Sequence, residues 1–262
     1  MKRVFAIWVC VSLIFIGLTL TERGLAKIDL ETVVAMWLFD EGKGDVAVDS
    51  SGNGHDGKFE GKPKWVDGKF GKVLEFNGTD SYVKVPDFTS PSEAITVTAW
   101  AKSPTPTWND HGWIVERRPS FIIHPNRGEK TVAWCVGNGG WNVPNGWKAG
   151  AAGPDDITKW HMYTGTYDSS TGEWKLYIDG ELKNTLSCNK VKITATPGPL
   201  HIGLDSCCGL RFGSGVVDEV AIFNVALAEE DIKEIMTKGL TGMTAVSPKE
   251  KLSTTWGYIK AR

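Results

Sequence analysis

Residues 49–57 have the types and the spacing of a loop that wraps a hard metal cation. Side-chain oxygens fall at alternate positions, on Asp49, Ser51 and Asn53, and a glycine then lets the backbone turn sharply. Short calcium-binding loops place side-chain oxygens at their first, third and fifth positions and a backbone carbonyl at the seventh, which here belongs to His55. The chemistry predicted for this segment is coordination of Ca²⁺.

The residues around this loop rule out an EF-hand. Residues 46–48 and 58–59 are short β-type pieces, and glycines at 57 and 61 would break a helix leaving the loop. We therefore predict a calcium-binding loop between two strands. The alternative is a turn rich in Gly, Asn and Ser that holds no ion, because these residues dominate turns in any case.

The N-terminus has the pattern of a secretory signal peptide. Two basic residues precede an apolar run from Val4 to Leu20, and small residues precede Lys27. The run is at the short end for a membrane span, so cleavage is favoured over an uncleaved anchor. We predict a signal peptide over 1–26, a domain over 27–242 and a C-terminal tail over 243–262, in a protein that is secreted or resides in the cell envelope.

Composition limits the partners of the exported chain. Removing residues 1–26 leaves 26 basic and 30 acidic residues, with the charges mixed along the chain. No basic stripe suits nucleic acid, and no membrane contact is expected after the signal is removed. The chain has 12 Trp, and aromatic-rich secreted proteins often bind sugars, although large β-sheet cores also use Trp.

Four cysteines remain after signal removal, an even count that suggests disulfides in an exported protein: Cys135, Cys188, Cys207 and Cys208. A bond between the adjacent pair would close a strained ring. We therefore expect each member of that pair to bridge to one of the other two, without knowing which. Four free thiols are the alternative.

Short alternating runs separated by turn residues predict an all-β sandwich. Strands are expected at 33–39, 73–76, 82–85, 95–101, 113–116, 120–124, 131–136, 160–167, 173–178, 181–186, 200–203 and 216–223. One short C-terminal helix is expected over 228–236, with acidic residues in its first turn and an end at Gly239. Its apolar stripe, formed by Leu227, Ile232, Ile235 and Met236, is expected to dock on the sandwich.

Eight motifs then follow one another in a characteristic order, at 36–42, 49–57, 74–83, 95–100, 159–161, 165–168, 176–180 and 217–224. The series resembles the laminin-G-like jelly-roll domains of the concanavalin A-like lectin/glucanase superfamily. The resemblance implies an antiparallel jelly-roll sandwich of two sheets, one of them concave. It also implies a structural calcium near the two ends of the domain, with Asp218 as a distant carboxylate that joins Asp49, Ser51, Asn53 and the carbonyl of His55.

The superfamily includes glucanases, so catalysis has to be considered. Retaining glycosidases need two carboxylates about 5 Å apart, which on one strand would stand at alternate positions, but Glu-x-Asp-x-Glu does not occur. The histidines lack the spacing of a zinc site, and no Gly-x-Ser-x-Gly occurs. A glycoside hydrolase is therefore the less favoured hypothesis, and we expect no enzyme activity.

A non-catalytic binding module is the favoured interpretation. The loop over 137–148 carries Trp141 and Trp147 for stacking on sugar rings, and Asn138 and Asn142 for hydrogen bonds to hydroxyls. Arg211 is expected near the same rim, available to an acidic sugar or a carboxylate. A second aromatic cluster, Trp108 and Trp113, is expected to form the opposite rim.

The partner is thus predicted to be a glycan. The alternative is an extracellular protein bound by an interaction or adhesion module, because laminin-G-like domains also bind proteins. A third interpretation is that the loop tryptophans only cover the edge of the sandwich.

Overall fold

The computed structural model describes residues 28–244, with side chains to residue 242. The predicted signal peptide lies outside the described residues, as does the predicted tail beyond its first two residues. No helix in the described part of the chain is long and apolar enough to cross a membrane.

Residues 28–244 form seventeen strands, one short 3₁₀ helix over Leu30–Thr32 and one α-helix. In chain order the elements are β1 (Val33–Trp37), β2 (Val46–Ala47), β3 (Gly57–Glu60), β4 (Lys64–Asp67), β5 (Lys72–Asn77), β6 (Tyr82–Phe88), β7 (Ala94–Lys102), β8 (Val115–Arg117), β9 (Phe121–Pro125), β10 (Val132–Val136), β11 (His161–Asp168), β12 (Glu173–Ile178), β13 (Glu181–Ser187), β14 (Gly198–Ile202), β15 (Leu204–Asp205), β16 (Arg211–Phe212), β17 (Ser214–Phe223) and α1 (Glu229–Thr244).

Two antiparallel sheets pack face to face. The eight-stranded sheet has the order β13-β12-β11-β7-β17-β5-β4, with β1 also paired to β17, and the seven-stranded sheet has the order β10-β9-β8-β14-β6-β3-β2. Strands β15 and β16 form a separate hairpin. This is the predicted jelly-roll sandwich with one C-terminal helix, and the prediction of the fold class is confirmed.

Strand β7 illustrates how the sequence creates the core. Side chains alternate between the two faces of a strand, and Ile95, Val97 and Ala99 point into the main core between the sheets. The intervening residues point to the outer face, where Trp100 is also buried. Both faces of this strand are therefore covered, although only one of them faces the other sheet.

Helix α1 covers the outer face of the eight-stranded sheet. Its Ile232, Ile235 and Leu240 pack in one cluster with Trp100 and Met162 of the sheet. The helix is longer than predicted, because helical residues resume after Gly239, whose φ of 70° interrupts the regular geometry. The apolar stripe expected from the sequence is the side that contacts the sheet.

The two sheets are tied together at one end by two indole groups. Trp134 of β10 donates from Nε1 to the carbonyl of Thr166 in β11 (3.1 Å), and Trp174 of β12 donates to the carbonyl of Trp134 (3.0 Å). Both rings are fully buried. The ring of Trp134 lies against Gly165, where a Cβ atom would approach Cδ2 of the indole to 2.1 Å.

Gly165→Ala is expected to destabilise the protein by roughly 1–3 kcal/mol, because overpacking a closely fitted core forces side chains or backbone to shift. The Trp134 ring cannot yield easily, since it is buried and hydrogen-bonded. Urea denaturation of the two proteins measures the difference.

Gly140→Ala is the matched control, because a Cβ atom there meets nothing within 4 Å. Its unfolding midpoint should stay close to that of the parent protein. Equal midpoints for the two variants would show that the contact of Trp134 with residue 165 does not limit the packing.

Candidate ligand-binding site

The site begins with the outer face of the seven-stranded sheet. On the paired strands β9 and β10, Ile123 and Trp134 point into the core, and their neighbours point outward. The outward set includes Ile122, Ala133 and Cys135, which form a small apolar cluster. This cluster is the floor on which a long loop rests.

The loop after β10 folds back over this floor. Trp141 and Trp147 are half-buried, and both pack against the outer-face cluster. The Cys135 thiol donates to the carbonyl of Trp147 (3.4 Å), and Ala152 closes the loop by pairing with Val132. Each indole therefore covers the sheet while retaining an exposed part.

The β15–β16 hairpin supplies the opposite wall. Its Asp205 is fully buried and accepts four hydrogen bonds: from Arg118 Nε (2.7 Å), Arg118 Nη2 (3.0 Å), Arg211 Nη1 (3.2 Å) and the backbone of Cys207 (3.1 Å). A buried carboxylate needs such partners, because an unpaired charge away from water is costly. The guanidinium of Arg118 also lies 5.1 Å from the ring centroid of Trp141, in a cation–π contact.

Behind the hairpin lies a second buried polar pair. Glu116 of β8 and His201 of β14 stand opposite each other across the sheet, with 2.7 Å between Oε1 and Nδ1. The carboxylate also accepts from the backbone N–H groups of Ser206 and Arg118. It thereby links the hairpin and the segment that carries Arg118 to the sheet.

These walls enclose a cavity of about 170 Å³, whose lining consists of aromatic, sulfur-containing and basic residues: Arg118, His124, Cys135, Trp141, Trp147, Cys207, Cys208 and Arg211. His124 packs against Trp147 with 4.5 Å between ring centroids. Burial lowers the pKa of His124 to about 4, so this imidazole is neutral near pH 7. Burial likewise raises the pKa of the Cys135 thiol to about 12, which keeps it protonated.

Three of the five predicted ligand-binding residues meet in this cavity: Trp141, Trp147 and Arg211. The two asparagines brace the loop instead. Asn138 donates to the carbonyl of Lys192 (2.6 Å), and Asn142 donates to the carbonyl of Asn189 (2.8 Å) and to the hydroxyl of Tyr167 (3.0 Å). Ligand binding by all five residues stays a prediction.

The sequence did not point to Glu116, Arg118, His124, Asp205 or His201. Arg118 and Asp205 are 87 residues apart, and only the pairing of the strands brings them together. The predicted second rim is wrong, because Trp108 and Trp113 are 1% and 0% exposed and belong to the main core. Their polar surroundings in the sequence suggested a loop surface, but the rings turn inward.

The predicted disulfide arrangement is also wrong. Cys207 is bonded to Cys208, and Cys135 and Cys188 are buried free thiols. Cys188 packs into the main core after β13, whereas Cys135, on the outer face of β10, lines the same cavity as the hairpin pair but directs its thiol to the carbonyl of Trp147. A bond between neighbours constrains almost none of the unfolded chain, so its influence is local.

The predicted calcium loop is held together by hydrogen bonds within the protein. Asp49 is nearly buried and accepts from Met36 N, Ser51 N, Ser51 Oγ and His55 N. Asn53 donates its amide to the carbonyls of Val33 and Val34. The carbonyl of His55 accepts from the indole of Trp37 (2.9 Å). As placed, these groups brace strand β1 and do not present the open oxygen shell that calcium requires.

Asp218 serves a different segment. Its Oδ2 accepts from the backbone N–H groups of Lys69 (3.3 Å) and Phe70 (3.2 Å), and it shares no hydrogen-bond partner with Asp49. No cluster of three or more His, Cys, Asp or Glu suited to a metal occurs among the described residues. The arrangement does not fit a shared calcium site, and calcium binding stays a prediction from the sequence.

A larger groove of about 590 Å³ lies on the eight-stranded sheet beside β4 and β5. Its walls carry Lys62, Lys64 and Lys102 together with Asp67 and Glu75. Four of these side chains are exposed, and none of the five is fully buried. The smaller cavity is the better candidate, because buried ion pairs fix its polar groups in place.

The comparison with protein families agrees with this architecture. Residues 77–233 match a laminin G family that is described as concanavalin A-like lectin/glucanases superfamily. The chain belongs to this superfamily. No curated protein matches this chain.

Solved structures with the same fold include binding domains. Domain 4 of AbnA, a GH43 extracellular arabinanase from Geobacillus stearothermophilus in complex with arabinotriose, is 21% identical, with a TM-score of 0.60 over 78% of this chain and 98% of that domain. A structure of botulinum neurotoxin type C, whose cell entry is described as dependent upon interaction with two ganglioside molecules, is 15% identical, with a TM-score of 0.55 over 79% of this chain and 51% of that one. The binding domain of botulinum neurotoxin DC in complex with rat synaptotagmin II is 15% identical, with a TM-score of 0.55 over 79% and 52%. The concanavalin A-like chain thus spans about half the length of the toxin structures.

Asp49→Ala is expected to destabilise the protein by about 2–3 kcal/mol at pH 7, because it removes hydrogen bonds to a charged, nearly buried group. Burial opposes ionisation of Asp49, but the hydrogen bonds from Ser51, His55 and Met36 outweigh it and hold the pKa below its usual range. The stabilisation should be complete above about pH 4, the pKa of the unfolded chain, and should disappear as the pH falls through the lowered folded value.

The melting temperature of the parent protein, measured with EDTA and then with added Ca²⁺, distinguishes a calcium-binding loop from a turn that holds no ion. Since its oxygens are already hydrogen-bonded, we expect the same melting temperature in both. A rise of several degrees with Ca²⁺ that disappears in Asp49→Ala would show that the loop rearranges to bind the ion.

Proposed function

We propose that this chain is a non-catalytic binding module that recognises carbohydrate at the cavity lined by Trp141, Trp147 and Arg211. The observation that carries the proposal is the placement of two half-exposed indole rings beside guanidinium groups held by buried ion pairs. Flat aromatic rings suit the apolar faces of sugar rings, and fixed N–H donors suit their hydroxyls.

The rigidity of the walls supports recognition of a specific ligand. Arg118 is fixed by a bidentate pair with Asp205 and by its contact with Trp141. Trp147 is fixed from below by Cys135 and His124. Groups fixed in advance lose little conformational entropy when a ligand binds, which improves affinity.

The chemistry of the walls supports binding without catalysis. Glycoside hydrolysis requires two carboxylates at the scissile bond. Among the described residues, the carboxylates that hold the walls of the cavity in place are those of Glu116 and Asp205, and both are 0% exposed and engaged with His or Arg. Neither side chain forms part of the cavity lining.

The comparisons support the same proposal at the level of fold. One structure with this fold was determined with arabinotriose, and another is described with gangliosides, which are glycolipids. A third is in complex with synaptotagmin II, a protein. A protein partner is therefore the alternative outcome of the test below.

A glycan array probed with the parent protein should identify oligosaccharides that bind, with arabinotriose included as a probe. Titration of each binding glycan should change the Trp fluorescence. Trp141→Ala and Trp147→Ala should each weaken binding about tenfold or more, since a central aromatic contact commonly contributes that much.

Trp65→Ala is the control, because this half-buried Trp lies on β4 of the other sheet. It should leave the affinity unchanged. If no glycan binds while an extracellular protein is retained by both cavity variants, the carbohydrate proposal fails and the adhesion alternative replaces it.

We further propose that the protein is exported and functions outside the cytosol. The pattern of residues 1–26 supports this, as does the bond between Cys207 and Cys208, because disulfides persist in oxidising compartments. Expression of the full chain in a secreting host should yield protein outside the cytosol whose N-terminus, determined by mass spectrometry, is Lys27. An intact Met1 on protein found only in the cytosol would contradict export.

A further inference from the structure

The charges at the cavity are arranged asymmetrically. Its lining carries two guanidinium groups, those of Arg118 and Arg211, and no carboxylate from the described residues. The compensating acid, Asp205, lies behind them with 0% of its surface exposed. The third ionisable lining group, His124, is neutral near pH 7 because burial lowers its pKa to about 4. A ligand entering the cavity therefore meets positive charge.

The two guanidinium groups differ in how many of their donors are engaged. Arg118 directs Nε and Nη2 to Asp205 and covers the Trp141 ring. Arg211 gives only Nη1 to Asp205, at 3.2 Å, and its side chain is 25% exposed. A guanidinium has five N–H donors in a planar fork. Nε and Nη2 of Arg211 have no partner among the described residues, so they remain available to a ligand.

A planar fork with two adjacent free donors matches a carboxylate, which accepts two parallel hydrogen bonds. Hydroxyl groups of a neutral sugar can accept from the same donors, but a hydrogen bond to a charged acceptor is roughly twice as strong. The free edge of Arg211 therefore favours an anionic group of the ligand over a neutral one.

The size of the cavity limits how much of a ligand enters it. Its volume is about 170 Å³, whereas pockets for drug-sized ligands are commonly about 300–1,000 Å³. The cavity therefore has room for one sugar ring but not for several. Cys208, which lines the cavity, is exposed, so the remaining rings of a glycan chain would lie outside in solvent.

We propose that the cavity binds the end of a glycan chain through a single acidic sugar ring, whose carboxylate is held by Arg211 and whose apolar face lies on Trp141 or Trp147. The proposal rests on the carbohydrate-binding function proposed above and names its ligand class. Arg211 determines the specificity for the acid, and the indoles contribute affinity for acidic and neutral rings alike.

The test compares uronic acids with their neutral parent sugars: glucuronic acid with glucose, galacturonic acid with galactose, and mannuronic acid with mannose. Calorimetric titration of the parent protein should show, in at least one pair, the acid binding about tenfold or more tightly than the neutral sugar. That preference should shrink as the salt concentration rises, because salt screens charges that are partly exposed.

Arg211→Gln should abolish the preference, because it weakens binding of the acid far more than binding of the neutral sugar, which keeps its contacts with the indoles. The variant should fold, because Asp205 retains its bidentate bond to Arg118, and circular dichroism checks this. Arg211→Lys provides a second variant that keeps the charge but loses the fork, and it should retain only part of the preference. Lys102→Gln, in the larger groove, is the matched control and should change nothing.

The outcomes separate the two proposals. If neutral sugars bind as tightly as their acids in every pair, or if Arg211→Gln keeps the preference, the acidic-ligand proposal is overturned and the carbohydrate-binding function stands. If neither kind of sugar binds at the cavity, and none binds on the array, both proposals fail together.

Discussion

The contact between Trp134 and Gly165 is the constraint on which the rest of this structure depends. The Trp134 indole spans the gap between the sheets and donates to the backbone of β11, and the backbone carbonyl of Trp134 accepts a hydrogen bond from the indole of Trp174. Side chains alternate along a strand, so fixing Trp134 inward fixes Ala133 and Cys135 outward. The floor of the candidate site is thus determined by an interaction on the opposite face of the same strand.

The polar side of the site depends on buried charge in a similar way. Asp205 and Glu116 are fully buried, and their partners come from segments that are distant in the chain. Removing one partner of such a pair leaves a charge without compensation in a poorly polarisable environment, which is far more costly than losing a surface ion pair. The hairpin that carries Arg211 is therefore held in one position relative to the sheet, although much of its tip is exposed.

Predictions from the sequence are most accurate where apolar residues recur with a regular period along the chain. The alternation in β7 predicts a strand with one face toward the core, and the apolar stripe around Ile232 and Ile235 predicts a docked helix; both are found. The failures concern contacts between distant residues. Trp108 and Trp113 sit among Asn, Asp and Gly that signal a loop, yet a loop can direct its aromatic rings inward, and the local pattern contains no information about this.

The same limitation explains the cysteines and the buried ion pairs. Which thiols lie within bonding distance depends on how the strands are arranged in space, and the composition gives only the number of cysteines. Glu116 and His201 become neighbours because β8 and β14 are adjacent in the sheet, although 85 residues separate them. Trp141, Trp147 and Arg211 of the cavity could be named from the sequence, but Arg118 and the acid that holds both arginines could not.

The position of α1 has a consequence for how a ligand can reach the cavity. The helix lies on the outer face of the eight-stranded sheet, and the cavity opens on the outer face of the seven-stranded one. Because the two outer faces lie on opposite sides of the sandwich, α1 does not obstruct a ligand that approaches the mouth of the cavity.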